Sequence, residues 1–282
     1  MRMLKRVLAA ALSVAALAGC AGTGEHADPR DPLEPMNRAV YKFNDAVDTA
    51  VARPVATAYR DTVPEPARNY VRNFFGNIAD VLIGANNLLQ GKFADGLQDW
   101  FRVAVNTVMG PLGINDWASE MGIEKHNEDF GQTFGWWGAG DGAYLILPIL
   151  GPSTVRDGAG TVFDMALDPV GEIRPTRARN SAVLLRLTSA RADLLEASRI
   201  LEQAALDKYV FLRDAYLQRR RSLVYDGRPP RERYEDDEPA DEEKKPAGRE
   251  QGAGNVYLPL VPANYDAVMA IQGTPDELAN LR

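Results

Sequence analysis

Through much of the first half of this chain, apolar residues recur every three or four positions, and that spacing admits few folds. Met36, Val40, Phe43, Val47 and Val51 form one series. Tyr70, Phe74, Ile78, Leu82, Ala85 and Leu89 form a second, and Phe93, Leu97, Phe101, Val105 and Val108 a third. A period of 3.6 residues puts each series on one face of an α-helix. Nothing here alternates with the two-residue period of a half-buried strand. Pro54 is predicted to stop the first helix, Pro66 to occupy the first turn of the second, Gly91 to end it, and Gly110-Pro111 to close the third. The predicted fold is all-α.

Between residues 110 and 160 the character changes. Glycines punctuate short apolar pieces, among them Gly135-Trp-Trp-Gly138, Gly140-Asp-Gly142 and Ala143-Tyr-Leu-Ile-Leu-Pro148. Glycine at this density permits positive φ and close backbone approach. Residues 144–147 are too few for periodicity to separate a buried extended piece from a helical turn. Ser153 is predicted to cap a helix over residues 154–167, ended by Asp168-Pro169. A long helical region is predicted from Ser181, with Leu184, Leu187, Ala190, Leu194, Ala197, Leu201 and Ala204 as a stripe packed on the rest of the domain. Asp207 is placed to cap its continuation, and Arg219, Arg220 and Arg221 sit where cations favour a helix C-terminus.

The two ends differ from this middle. Residues 228–250 hold nine acids, six bases and four prolines, a composition that buries too little apolar surface to offset its ordering entropy. Residues 228–255 therefore read as a disordered acidic linker, and residues 256–282 as a segment that regains apolar groups and docks weakly or forms a short helix. At the other end, Arg2, Lys5 and Arg6 precede an apolar run over residues 7–17 and the small residues Ala18 and Gly19. That is the pattern of a secretory signal peptide over residues 1–19. The run is too short to cross a bilayer of roughly 30 Å at about 1.5 Å per residue. Cys20 follows directly and is the chain's single cysteine. A thiol in that position resembles the bacterial lipobox cysteine, which receives a diacylglycerol and becomes the acylated N-terminus. Residues 20–30 then form a tether, and Ala21, in place of an aspartate that would favour inner-membrane retention, points by the same resemblance to the outer membrane.

Composition excludes several functions. Removing the first 19 of 282 residues leaves 263 and takes the formal charge from −7 to −10, a poor basis for binding nucleic acid. With Cys20 acylated no intrachain disulfide is possible. His126, near Glu124, Glu128 and Asp129, is a lone histidine where zinc sites use several ligands, and it reads as part of a polar loop in which Asn127 caps a helix. Gly151-Pro-Ser153 lacks the second glycine of a nucleophile elbow. No phosphate-binding loop or dinucleotide fingerprint is present. The expectation is a protein without cofactor, metal site or catalytic set.

Asp31-Pro-Leu-Glu-Pro-Met-Asn-Arg38, Tyr41-Lys-Phe-Asn44, Arg53-Pro-Val-Ala56 and Tyr59-Arg-Asp-Thr-Val-Pro64 open an ordered series of motifs. Asn73-Phe-Phe-Gly-Asn77, Asn86-Asn-Leu-Leu-Gln-Gly91 and Glu128-Asp-Phe-Gly-Gln-Thr-Phe-Gly135 continue it. Together they resemble the VacJ/MlaA family of outer-membrane phospholipid-transport lipoproteins, from about residue 31 to 170 and more loosely over 209–227. Residues 171–207 and those after 227 depart from the family pattern and inherit no role. The resemblance implies a mainly helical, ring-like single domain over residues 31–227, lying in the inner leaflet of the outer membrane and facing the periplasm. It implies an amphipathic channel that removes misplaced phospholipids from the outer leaflet, preserving lipid asymmetry. It also implies two partners: a trimeric porin, and a periplasmic lipid carrier that feeds an inner-membrane ABC transporter.

The residues themselves suit such a path. A channel for a polar head and two apolar tails needs both characters in its wall. Asp129, Phe130, Gly131, Trp136, Trp137, Gly138, Gly140, Gly142 and Tyr144 offer both, with glycines that allow a gating hairpin. In the first helix Asn44 and Asp45 lie beside Phe43, where the family has a polar-aromatic pair important for function. Trp100 and Trp117 also suit a headgroup level. Two other readings are a structural lipoprotein that scaffolds a porin without transport, and a lipid hydrolase using Ser153 and His126. Replacing Cys20 by Ser is expected to mislocalise the protein without unfolding it. Membrane fractionation with circular dichroism checks this, and a Cys20→Ser protein working at the outer membrane overturns the lipobox reading.

Overall fold

The computed structural model describes residues 28–230. The signal segment, Cys20, most of the tether and residues 231–282 lie outside the described residues. Ten α-helices and one hairpin follow in order: α1 (Glu34–Val47), α2 (Arg53–Thr62), α3 (Glu65–Leu89), α4 (Phe93–Met109), α5 (Trp117–Glu120), α6 (Phe130–Trp136), β1 (Tyr144–Leu147), β2 (Gly151–Thr154), α7 (Val155–Leu167), α8 (Thr176–Asp193), α9 (Leu195–Ala204) and α10 (Lys208–Val224). The fold is mainly helical, as the spacing predicts.

Pro66 lies in the first turn of α3, and Gly91, at φ +79°, turns the chain out after it. Pro54 does not stop the first helix. A π-helical turn over Asp48–Ala52 links α1 to α2, and the amide of Arg53 reaches the carbonyl of Asp48. Proline lacks an amide and its ring crowds the carbonyl four residues back; widening the preceding turn absorbs both effects. Thr154, not Ser153, caps α7 by accepting from the amide of Asp157 at 3.2 Å, while Ser153 is buried in β2. Asp129, not Asn127, caps α6. The long C-terminal helical region begins at Thr176, five residues before Ser181. Asp207 caps α10 as predicted.

Residues 144–147 resolve as a strand. β1 pairs antiparallel with β2, Tyr144 opposite Thr154 and Leu147 opposite Gly151. The far edge of β1 is covered by a helix. Asn37 of α1 donates to the carbonyl of Tyr144 at 2.9 Å and accepts from the amide of Ile146 at 2.9 Å. One heptad on, Asn44 donates to the carbonyl of Leu147 at 3.0 Å and accepts from the amide of Ile149 at 2.8 Å. A side-chain amide carries one acceptor and two donors in a plane, so each asparagine can stand in for a neighbouring strand. Tyr144, Ile146 and Tyr209 form a small apolar core beside this seam, with Val40, Tyr41 and Tyr216 against it.

The polarity of α3 and α4 is inverted. Tyr70, Leu89, Phe93, Leu97, Phe101 and Val108, all from the apolar stripes, are exposed, Val108 at 82%. Asn77, Asp80, Asn86, Asn87, Asp99, Arg102 and Asn106 are buried instead. Buried polar side chains outnumber buried apolar ones among the described residues. The stripe over residues 184–204 is likewise only partly packed: Ala197 is buried, whereas Leu184 and Leu187 are exposed.

Backbone contact at glycines lets these helices close on one another. α3 and α4 meet where a Cβ on Gly96 would stand 2.8 Å from the carbonyl of Gly84. α6 and α7 meet where a Cβ on Gly160 would stand 2.3 Å from the amide nitrogen of Gly131. Because the obstruction at Gly160 is backbone, Gly160→Ala should separate α6 from α7 and cost about 1–3 kcal/mol or more, as overpacking does. Thermal unfolding of the purified protein in detergent checks this, and an unchanged midpoint would contradict the packing described.

Candidate functional site

Two polar clusters hold the helices around the site. In the first, Arg102 is fully buried; its guanidinium meets both carboxylate oxygens of Asp116 at 3.0 Å and the hydroxyl of Ser119 at 3.0 Å, and it also donates to the carbonyl of Ile123. Asn106 donates to Asp116 at 2.8 Å, and Lys125 meets the buried Asp80 at 2.5 Å. Asp99 accepts from Asn87 at 2.8 Å and lies 2.9 Å from Nδ1 of His126. That hydrogen bond raises the His126 pKa, against the opposing effect of burial.

In the second cluster Arg220 of α10 donates to both oxygens of Asp129, at 2.6 and 2.9 Å, and to both oxygens of Asp157, at 2.9 Å each. Tyr216 adds a bond to Asp157 at 2.7 Å. Burial pushes both carboxyls upward, but the guanidinium outweighs it and holds them below the usual carboxylate range. Asp164, half-buried on α7, lacks such a partner. Burial, then the nearby Asp129 charge, raises it to about 6 against weaker opposing effects from the Phe130 amide, which donates to it at 3.3 Å, and from the Arg220 charge.

Between α1, the hairpin and α8 to α10 lies a cleft of about 270 Å³. Ile146, Leu194, Leu201 and Leu212 give it apolar wall, and Asp45, Asp48, Arg53, Arg191, Glu202 and Lys208 give it charge. Arg191 is paired with Asp48 at 2.5 and 2.8 Å, and Arg53 with Glu202 at 2.7 Å. Lys208, half-buried, has no ion-pair partner among the described residues. The tip of the hairpin stands over this cleft through Gly151 and Pro152. At the tip Ile149 holds φ +68° and is 73% exposed. A β-branched residue rarely adopts that conformation, and its cost is of order 1–3 kcal/mol; the bond from its amide to Asn44 helps to hold it. A larger open cleft of about 1370 Å³ lies along α10 and the glycine-rich segment.

The residues singled out from sequence do not converge on one place. Asn44 and Asp45 line the smaller cleft. Gly138, Gly140 and Gly142 line the larger one, the first and last with positive φ. Phe130, Gly131 and Tyr144 are buried and Asp129 is half-buried: Asp129 pairs with Arg220, Phe130 packs on Phe134 and Phe163, Gly131 lies in the α6–α7 contact, and Tyr144 is fully enclosed. Phe43, Trp136 and Trp137 are surface residues, exposed at about half. Trp136 stacks under Lys92 at 5.3 Å, and Trp137 donates to the carbonyl of Leu89 at 3.1 Å. Of the proposed hydrolase pair, Ser153 donates to the carbonyl of Thr154 at 3.2 Å and His126 is held by Asp99; no hydrogen bond among the described residues joins them. Sequence reading missed Arg53, Arg191, Glu202 and Lys208. A signal was present in Arg191, a charge set four residues after Leu187 and three before Leu194, on the face of the apolar series.

These features define a class: a helical domain with a polar interior, an apolar exterior and an amphipathic cleft beneath a clamped hairpin. The family model described as MlaA lipoprotein matches residues 29–223. The chain belongs to the MlaA lipoprotein family. It is 37% identical over 222 residues to the intermembrane phospholipid transport system lipoprotein MlaA of Escherichia coli K12, covering 77% of this chain and 88% of that protein. The lipoprotein of the same name from Haemophilus influenzae is 32% identical over 232 residues, covering 79% and 92%. A solved structure from work on the structural basis for maintenance of bacterial outer membrane lipid asymmetry superposes with a TM-score of 0.61 at 32% identity, covering 69% of this chain and 98% of that one.

Asp164 gives a pH test. Its folded pKa lies above the unfolded value, so ionised Asp164 lowers stability at neutral pH, and stability is regained as pH falls through about 6. In detergent solution Asp164→Asn should melt higher than the native chain near pH 7.5, and the gap should fall to roughly half near pH 5 and close only as pH drops to the ordinary carboxyl value of 3.8. An equal gap at both pH values would exclude a raised carboxyl.

Proposed function

We propose that this domain lies in the inner leaflet of the outer membrane, facing the periplasm, and passes misplaced phospholipids out of the outer leaflet through its amphipathic cleft. The observation that carries this reading is the inversion of α3 and α4. Burying a large apolar side chain contributes about 1.5–3 kcal/mol, so leaving Phe93, Leu97, Phe101 and Val108 in water forfeits several kcal/mol from one helix. That is comparable to the whole net stability of a domain. Hydrocarbon around the exterior removes the loss. Among the described residues no helix is long and apolar enough to cross a membrane, which suits helices lying within one leaflet. The family's ring shape follows the same logic, with polar groups turned inward.

The cleft then serves the headgroup. At about 270 Å³ it sits at the lower edge of ligand-pocket sizes, room for a headgroup-sized body with the tails left among apolar side chains. Two ion pairs, Arg191 with Asp48 and Arg53 with Glu202, make a polar path along it, and Lys208, unpaired among the described residues, adds one cation that suits a lipid phosphate. The hairpin is the gate: its tip is apolar, exposed and strained, and Asn44 clamps it. By kinship with the phospholipid transport lipoproteins, the lipid passes to a periplasmic carrier that feeds an inner-membrane ABC transporter, and the domain sits beside a trimeric porin. Acylated Cys20 fixes the membrane and the face.

Deleting the protein should raise outer-leaflet phospholipid and sensitivity to detergent and chelator. An unchanged leaflet composition sinks the transport reading, and a purified protein carrying no phospholipid by mass spectrometry favours the scaffold reading. In the purified chain, Asn44→Ala removes two hydrogen bonds, each contributing about 1 kcal/mol. The Ile149 amide should then exchange with deuterium roughly tenfold faster, and the variant should move phospholipid abnormally in cells. Normal leaflet composition despite a loosened tip would separate the hairpin from gating.

A further inference from the structure

Arg174, Arg177 and Arg179 stand within six residues at the entry to α8, in a chain whose formal net charge is −7. Arg174 and Arg177 are exposed and Arg179 is half-buried. None of the three side chains has an ion-pair or hydrogen-bond partner among the described residues. Many other arginines of the described residues are paired: Arg30, Arg53, Arg72, Arg191 and Arg213 each meet a carboxylate. Glu172 is the only acid in residues 171–180 and pairs with none of the three. Three like charges close in sequence and without a counter-charge make a local positive field that attracts an anion.

What lies beside them is apolar. α7 ends in Phe163, Met165 and Leu167, each at least half exposed, and α8 carries exposed Leu184 and Leu187. The ion pair between Arg186 and Asp168, at 2.6 Å, ties α8 to the end of α7 and so joins the two apolar surfaces. Leu184 follows Arg177 by seven residues, two turns along the same face, a rise of roughly 10 Å. Interfacial helices sink their apolar face about 5–10 Å below the headgroups. With α8 inclined so that Leu184 and Leu187 reach hydrocarbon, its arginine end is lifted by up to that rise towards the lipid phosphates, which guanidinium groups bind in bidentate fashion.

We propose that Arg174, Arg177 and Arg179 form a collar that binds the phosphate-bearing headgroups of acidic phospholipids at the rim of the apolar exterior. The collar sets the depth and tilt of the domain and enriches acidic lipid around it. This rests on the leaflet placement above.

The test is flotation of the purified full chain with vesicles of phosphatidylcholine alone and of phosphatidylcholine mixed with phosphatidylglycerol, at low and high salt. Each basic residue near an acidic surface contributes about fivefold to partition, so the native chain should prefer the mixed vesicles by about a hundredfold at low salt. The preference should shrink at high salt. The triple variant Arg174→Gln, Arg177→Gln, Arg179→Gln should lose it while still binding neutral vesicles. Arg199→Gln, an exposed arginine paired with Glu196 on α9, should keep it. Circular dichroism checks that each variant is folded. Equal binding of the native chain to both vesicles, or a preference kept by the triple variant, overturns the collar alone. A native chain that floats with neither vesicle overturns the leaflet placement along with it.

Discussion

Everything in this fold depends on buried polar side chains finding partners. A carboxylate or guanidinium taken out of water costs several kcal/mol unless it is paired and hydrogen-bonded, and this chain buries many of them. Arg102 answers with Asp116, Ser119 and the backbone of Ile123, and Arg220 with two carboxylates at once. These clusters replace the apolar core of a water-soluble bundle. Among the described residues Tyr144, Ile146 and Tyr209 make a small apolar nucleus, and even there the hydroxyl of Tyr209 is bonded to Asp31. A polar interior is directional where an apolar one is not, so it dictates which helix faces meet.

The cleft and its hairpin follow from that constraint. A two-stranded sheet is marginal by itself, and here it is completed by asparagines at Asn37 and Asn44, seven residues apart on one helix. Asp45, next to Asn44, and Asp48, at the start of the π-helical turn, reach the cleft wall from the same stretch of chain. The π-helical turn before Arg53 carries the chain past Pro54 without breaking that wall. Structural and functional positions thus share a few residues, and the strained tip at Ile149 sits where they meet.

Much of the helical layout was legible from local pattern. Spacing of apolar residues located α1, α3 and α4, and Gly91 and Asp207 marked boundaries that sequence alone places well. Other boundaries slipped because neighbouring residues competed: Thr154 with Ser153, Asp129 with Asn127, a widened turn with Pro54. The candidate site was legible only in pieces. Asn44 and Asp45 were found, but Arg191, Glu202 and Lys208 come from a helical stretch that carries no family motif, so its apolar stripe was legible and its charged positions were not. Asp129, Gly131 and Tyr144, chosen for their surroundings in sequence, proved to be packing and pairing residues.

The order of residues by itself determined that the chain is helical, that its helices have two unlike faces, and that its family is the MlaA lipoproteins. Spacing is a property of one helix, and a single helix suffices to read it. Which face turns inward was decided only by tertiary structure. A period of 3.6 presents an apolar stripe and a polar stripe equally well, as α3 does with Tyr70 to Leu89 and with Asn73, Asn77, Asp80, Gly84 and Asn87. Only when Asp80 meets Lys125, Asn87 meets Asp99, and Gly84 admits the backbone of Gly96 does the polar stripe become the interior. Those partners lie 12 to 45 residues away along the chain, beyond the reach of any local period.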